Sequence, residues 1–301
     1  MANKPIITIG IPTCYGGESL ITTVASIQKC SGNFTLEIII QADRTPISKR
    51  VRNELKKLGV QLYWNDKEGS QFKKLNQIIR RAKGEIFIFT QDDIIFDPRA
   101  LCEICKTFIN NPAVTMLCTR VLPLPTQNFF ESGMASMVRI VDRTGREWNN
   151  GDNHLMASGR CMAFRSAFLR KYSMPETIVT GDVYLYLENR RLGGKFTYTQ
   201  NGMVYIRCPQ NLKDQMGPSS RYQYSEKELQ KYFRDAKKEY QIPQGILIKN
   251  YILEFITYPI STLFYMAIYC YTRLNRYSYS SAVNPVWKVD LTTKNVGTTH
   301  I

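Results

Sequence analysis

The chain has 301 residues, enough to bury a full core as one large domain with an appendage. Its apolar share of 44% and charged share of 22% are those of a globular protein and exclude a disordered one. A formal net charge of +15 favours polyanionic partners (anionic lipid, nucleic acid or phosphate-bearing substrates) over a merely basic surface.

The pattern along the chain is strand and helix in turn. Ile6 to Ile11 reads as a buried strand stopped by Pro12-Thr13, and a small-residue turn through Gly16-Gly17 leads to a helix carrying Leu20, Val24 and Ile27. Leu36 to Ile40 is a second strand ending at Asp43, Arg50 to Leu58 a charged helix, and Val60 to Trp64 a third strand. Phe72 to Lys83 is helical with Leu75, Ile78 and Ile79 inward, and Glu85 to Thr90 is a fourth strand running into Gln91-Asp92-Asp93. This alternation predicts a mostly parallel central sheet with flanking helices, a Rossmann-like α/β fold. In such sheets ligands bind beyond the carboxyl ends of the strands, where Thr13, Asp43 and Asp92-Asp93 all fall.

Beyond Pro98 the alternation loosens. Val114 to Thr119 reads as a strand, Pro123 to Gly151 as irregular, Asp182 to Leu192 as a helix, and Lys195 to Thr199 and Met203 to Arg207 as two closing strands. The eight cysteines are expected to be reduced and mostly buried, because the run from Met1 to Thr13 is too short in apolar residues for a signal segment. Cys102 and Cys105 have metal-ligand spacing, but no second pair or nearby histidine completes a set, so core packing is expected.

Asp92 and Asp93 are adjacent carboxylates at a strand end, which repel unless a cation or donors sit beside them. Mg²⁺ or Mn²⁺ held by one or two carboxylates plus substrate phosphates answers that need; a solvated turn or helix cap is the plainer alternative. His154 and His300 are the only histidines, which removes hydrolase triads and zinc sites, and no Walker-type loop is present.

The run Thr8 to Thr13, then Asp43, Lys73-Lys74-Leu75-Asn76, Ala82 to Glu85, Asp92-Asp93 and Pro98 resembles the donor half of family 2 glycosyltransferases of the GT-A fold. Ser158-Gly159-Arg160 with Phe164-Arg165, and Gly181-Asp182 followed by Arg190-Arg191-Leu192, resemble its acceptor half, so the likeness covers about residues 5 to 222. The resemblance implies that Pro12, Thr13 and Asp43 hold the base and ribose, Asp92 the ribose, and Asp93 the metal bridging the donor diphosphate. It also implies that Lys73, Asn76 and Arg221 line the donor site, that Gly159, Arg160 and Gly181 face the acceptor, and that Asp182 is the catalytic base. Two departures stand out. The glutamate usual before the base is Gly181, and only Arg221-Tyr222 remains of the processive Gln-x-x-Arg-Trp motif, which points to single-sugar transfer. The implied reaction is an inverting transfer from a nucleotide-diphosphate sugar, foremost a UDP-sugar, to a hydroxyl or phosphate on a lipid-linked or growing glycan acceptor.

Ile246 to Tyr271 is dominated by apolar and aromatic residues, interrupted by Lys249, Glu254 and Pro259, with basic flanks from Lys231 to Lys238 and at Arg273 and Arg276. Tyr251 to Thr272 has the length to cross a bilayer, about 20 residues, but Glu254 and Pro259 favour helices lying in the interface. The expected organisation is a catalytic domain at 1–225 (nucleotide half 1–98, acceptor half 99–225), a basic helical linker at 226–245, a membrane-associating segment at 246–276 and a tail at 277–301. That places the protein on a membrane with its catalytic domain in the cytoplasm. Trp287 to Lys294 resembles a tail segment found after the membrane portion of some family members and is expected to fold back toward the catalytic face. The competing readings are a catalytically degenerate, basic polyanion-binding module of the same fold, and a nucleotidyltransferase. No aromatic-interleaved basic stripe supports nucleic-acid binding, and no Gly-rich loop with a following lysine supports the second.

Overall fold

The computed structural model describes residues 4–275, 284–286 and 290–297. Arg276, Trp287 to Val289 and His300 lie outside them.

The first half follows the predicted alternation. Strands β1 (Ile6–Thr13), β2 (Thr35–Asp43), β3 (Gln61–Asn65) and β4 (Ile86–Thr90) are joined by helices α1 (Glu18–Gln28), α2 (Lys49–Lys57) and α3 (Gln71–Arg81). Helices α2 and α3 start where Ser48 and Ser70 accept the backbone N–H of Val51 and Lys73 on their hydroxyls. The β1–β2, β1–β4 and β2–β3 pairings are all parallel. Successive residues of β4 point to opposite faces. Ile86 and Ile88 enter one core with α1, α2 and Ile7, Ile9 and Ile11, whereas Phe87 and Phe89 enter the other with Phe72, Leu75 and Ile78 of α3. A sheet covered on both faces needs such continuous apolar strands.

The second half adds β5 (Ile94–Phe96), α4 (Ala100–Asn110), β6 (Val114–Pro123), α5 (Phe129–Glu147), β7 (Cys161–Arg165), α6 (Ser166–Leu169), α7 (Gly181–Arg191), β8 (Lys195–Ile206), α8 (Leu212–Leu229), α9 (Ala236–Glu239), α10 (Gln244–Thr257) and α11 (Pro259–Leu274). Among the described residues the strands form one sheet in the order β3-β2-β1-β4-β7-β6-β8-β5. The β4–β7, β6–β7 and β5–β8 pairs are antiparallel and β6–β8 is parallel, so the sheet is mixed, with only β5 and β7 running against the other strands.

Two expectations are corrected here. The stretch from Pro123 to Gly151 is not irregular: it holds α5, opened by Asn128, whose side chain accepts the Glu131 N–H while Glu131 accepts the Gln127 N–H. The two closing strands are one, β8, whose ladder with β6 jumps register between Thr119 and Arg120 where Gly202 N–H bonds Thr199 Oγ1. The apolar segment forms two helices, the break falling at Pro259, because Tyr258 leaves helical geometry (φ −137°, ψ 66°) and Pro259 opens α11. No helix among the described residues is long and apolar enough to cross a membrane. Helix α8 runs across the boundary expected at 225.

Both C-terminal helices pack on α5. Glu254, fully buried, takes Arg139 at 2.8 Å and Arg143 on its two oxygens, and the Arg139 guanidinium lies 4.2 Å over the Tyr258 ring. The opposite side is bare: Ile248, Ile252, Phe255, Ile256, Ile260, Leu263, Met266 and Leu274 are all exposed. Cys30, Cys105, Cys118, Cys161 and Cys208 are buried free thiols, with Cys102 half-buried beside Cys105 on α4.

Candidate active site

The carboxyl ends of β1, β2 and β4 meet at one edge. Thr13 ends β1; its hydroxyl donates to Asp92 Oδ2 and accepts the N–H groups of Tyr15 and Gly16 at 3.2 and 3.1 Å. Gly16 holds φ +57°, and a Cβ there would meet Ile47 at 2.6 Å, so the turn that leaves β1 requires glycine. Pro12 is buried within β1, opposite Gln41 of β2.

Asp43 ends β2 and is buried. Its Oδ2 accepts from Gly69 N–H and from the Lys74 ammonium, each at 2.8 Å, and Arg44 Nε lies 3.4 Å from Oδ1. A cleft beside it is lined by Gln41, Asn65, Lys67, Lys73 and Gln77 as well as Asp43 and Lys74. Lys73 therefore faces the space next to Asp43. Asn76 is directed elsewhere, donating its amide to the Met174 carbonyl at 3.1 Å.

Asp92 and Asp93 form the turn between β4 and β5, both nearly inaccessible. The Lys294 ammonium bonds Asp92 Oδ1 and reaches Asp93 Oδ2 at 3.0 Å, and Thr293 donates to that same Oδ2 at 3.1 Å. Burial alone would raise the Asp93 carboxyl, but the charges of Lys294 and then Arg160 leave it below its ordinary value. Its Oδ1 is buried without a hydrogen-bond partner, with Arg160 Nη1 4.0 Å away.

Gly159 and Arg160 precede β7 and connect this pair to Asp182. Arg160 Nη1 donates to Gln91 Oε1, and Gly159 N–H points at Asp182 Oδ2 from 3.5 Å. Asp182 lies in the first turn of α7, where its Oδ1 accepts the Val183 N–H at 2.9 Å, so an anchoring role at the helix start coexists with its contact to Gly159. Burial pushes the Asp182 carboxyl above its ordinary value, more than the N–H groups of Val183 and Gly159 and the Arg160 charge lower it. Gly181 is glycine for want of space: a Cβ there would meet Phe72 Cε1 at 2.6 Å. The absent glutamate is thus a packing consequence of Phe72 on α3.

Helix α8 orders this side. Glu228 accepts the N–H groups of Val179 and Thr180 at 2.9 and 3.0 Å, along with the Thr180 hydroxyl, fixing the chain that enters α7. Arg221 of the same helix lies 3.7 Å from Asp290. From Asp43 through Asp92, Asp93, Arg160 and Gly159 to Asp182, the acidic groups share one continuous edge.

Lys74, Glu228, Thr293 and Lys294 were not among the residues marked from the sequence. Lys74 had a signal in its place beside Lys73, and Thr293-Lys294 in the tail expected to fold back; Glu228 had none.

The sequence profile described as "Glycosyltransferase like family 2" matches residues 5–234. No curated protein matches the chain. Similar solved structures include the mannosyltransferase PcManGT from Pyrobaculum calidifontis in complex with GDP-Man and Mn²⁺ (13% identity, TM-score 0.56, covering 92% of this chain and 77% of that one). Glucosyl-3-phosphoglycerate synthase from Mycobacterium tuberculosis in complex with Mn²⁺, uridine-diphosphate and phosphoglyceric acid aligns at 11% identity and TM-score 0.52, over 75% of this chain and 78% of that one. TarS from S. aureus aligns at 14% identity and TM-score 0.51, over 71% of this chain but 39% of its own. These identities speak for the GT-A fold, and the profile, which covers most of the chain and the whole edge from Pro12 to Arg221, speaks for the family: the chain belongs to glycosyltransferase family 2 and is a glycosyltransferase.

Proposed function

We propose that the protein is an inverting, metal-dependent transferase that moves one sugar from a nucleotide-diphosphate donor to an acceptor hydroxyl or phosphate at a membrane surface. The observation that carries this reading is the placement of Asp182. It is a half-buried carboxylate whose proton affinity is raised by desolvation, joined through Gly159 and Arg160 to the Asp92–Asp93 pair. A base of raised pKa is better matched to an acceptor proton near neutral pH than an ordinary carboxylate.

The donor's base and ribose fall to the cleft of Asp43 and Lys73 and to Pro12, Thr13 and Asp92. Asp43 already holds Lys74 and Gly69 N–H on Oδ2, and its Oδ1, with Arg44 Nε 3.4 Å away, is the oxygen left to accept from the base in this reading. The acidic pair fits Mn²⁺ or Mg²⁺ in one respect, the unpartnered buried Asp93 Oδ1. Among the described residues no group of three or more metal-ligating side chains exists, so the remaining oxygens would come from the diphosphate and water, as hard cations accept. When bound, such an ion neutralises charge on the departing nucleoside diphosphate. Asp182 takes the acceptor's proton as its oxygen attacks the anomeric carbon, while Arg160 adds positive charge on the acceptor side and Arg221 on the donor side. A single displacement inverts configuration. The complexes of the two fold neighbours with Mn²⁺ and GDP-Man or uridine-diphosphate support a nucleotide donor, UDP-linked in our reading.

The bare faces of α10 and α11 lie next to exposed Lys231, Arg234 and Lys237, which suits an anionic lipid surface better than water. In this reading the two helices lie in the plane of the membrane, the catalytic domain faces the cytoplasm, and the acceptor is a lipid-linked or growing glycan. The test is transfer from labelled UDP- and GDP-sugars with Mn²⁺ to a lipid extract, the anomeric configuration of the product being read by NMR. An inverted product made by the wild type and lost in Asp182→Asn is expected; a retained configuration refutes the mechanism. Flotation with phosphatidylglycerol vesicles tests the surface, and Ile256→Glu with Leu263→Glu is expected to release the protein from them.

A further inference from the structure

After α11 the chain returns across the active edge, and residues 290–297 are stapled along their length. Thr292 donates its N–H to Asp214 Oδ2 at 3.1 Å and its hydroxyl to the same atom, and Gln210 N–H donates to Thr292 Oγ1 at 3.3 Å. Arg207 Nε donates to the Asn295 carbonyl at 3.1 Å, and Val296 is buried against Ile95 and Leu124. These contacts, none of them with an acidic residue of the catalytic edge, deliver Lys294 to Asp92 and Asp93.

Two adjacent buried carboxylates need a cation, and here a covalently tethered one supplies it. The lysine ammonium bonds an oxygen of each carboxylate, and Thr293 adds a third donor. A divalent ion coordinated by Asp93 at the usual oxygen distance of about 2.0–2.2 Å would lie against that ammonium, like charge against like in a poorly solvated site. A diphosphate relieves the conflict by placing negative charge between them. We propose that Lys294 is a tethered counter-ion that occupies the acidic pair in the nucleotide-free protein and excludes divalent metal until the donor diphosphate arrives. The proposal rests on the reading of Asp93 as the metal ligand. It goes beyond that reading by making metal entry conditional on nucleotide. The atom left for the incoming ion is Asp93 Oδ1, the one oxygen of the pair without a hydrogen bond.

The experiment measures Mn²⁺ bound to the full chain by the loss of its free paramagnetic resonance signal, without nucleotide and then with UDP or GDP. A strap closed about nine-tenths of the time weakens apparent metal affinity about tenfold. Lys294→Met is therefore expected to bind Mn²⁺ at least about tenfold more tightly than the wild type without nucleotide, with the gap narrowing once UDP or GDP is present. Equal or weaker binding by Lys294→Met overturns the proposal, including the case in which the lysine only staples the tail. In the wild type itself, saturating Mn²⁺ alone is expected to speed hydrogen exchange at the Thr292 amide; unchanged protection at saturation overturns it without reliance on a variant. Should Asp93→Ala bind Mn²⁺ with nucleotide as well as the wild type does, the metal reading falls and takes this proposal with it.

Discussion

Gly181 offers the sharpest test of how the site is packed. Restoring any side chain there puts a Cβ 2.6 Å from Phe72 Cε1 and 3.2 Å from Cζ. Phe72 cannot swing aside freely: it is almost wholly buried among Leu75, Ile78 and Phe89, and its ring meets Tyr184 edge-on at 5.7 Å. Overpacking of this kind costs about 1–3 kcal/mol. Alanine is a better helix former than glycine by up to about 1 kcal/mol, so Gly181→Ala is expected to lose about 1–2 kcal/mol net. Urea denaturation of wild type, Gly181→Ala, Phe72→Leu and the double variant separates the terms. Phe72→Leu opens a small cavity and is destabilising by itself, but in the double variant the two costs should fall short of their sum by about 1 kcal/mol or more, the signature of a shared contact. Additive losses, or a neutral Gly181→Ala, would refute the claim that Phe72 forbids a side chain before the base.

Asp182→Asn is expected to cut turnover by about 10²–10⁴-fold, the usual worth of a positioned base, and to raise Tm at neutral pH. The sign follows from burial: a carboxyl whose folded pKa is raised costs stability once ionised, a cost present above its folded pKa and removed as pH falls below its unfolded one. For the same reason the acidic limb of kcat/KM should lie above the pH of an ordinary carboxylate, and a limb at or below that value would contradict the assignment. Glu254→Ala leaves two guanidiniums facing each other; breaking a buried pair costs about 3–5 kcal/mol, reduced here because Arg139 and Arg143 are each about a quarter exposed. Limited proteolysis should then cut within α10 and α11 before the catalytic domain, and uniform resistance would show that α10 is held by other contacts.

The nucleotide half was legible because its signals are local. Runs such as Ile38-Ile39-Ile40 and Phe87-Ile88-Phe89 read as strands buried on both faces, and the residues at their ends read as the site. Helix α5 was hidden because Arg139, Asp142 and Arg143 interrupt its apolar stripe, and their partners, Glu254 and Arg120, lie far away in the chain. Its start was nonetheless written in Asn128 and Glu131. In β8 the turn-like Gln200-Asn201-Gly202 imitates a strand end, whereas the pairing with β6 resumes at Met203 after a register shift. The motif residues were placed by resemblance, but not what surrounds them. The Lys74 ammonium on Asp43, the Glu228 clamp on α7 and the Lys294 ammonium on Asp92 and Asp93 are long-range contacts without periodicity. The reason for glycine at 181 lies in an aromatic ring on α3, which no local pattern could show.

The most direct measurement of the central claim is calorimetric titration of UDP and GDP into wild type, Asp93→Ala and Asp182→Asn, with and without Mn²⁺. The account predicts that one nucleotide binds only with Mn²⁺, that Asp93→Ala loses that binding by about 100-fold or more, since loss of an outer-shell partner alone costs about 10–100-fold, and that Asp182→Asn retains it. Nucleotide binding that is indifferent to both Mn²⁺ and Asp93 would contradict it.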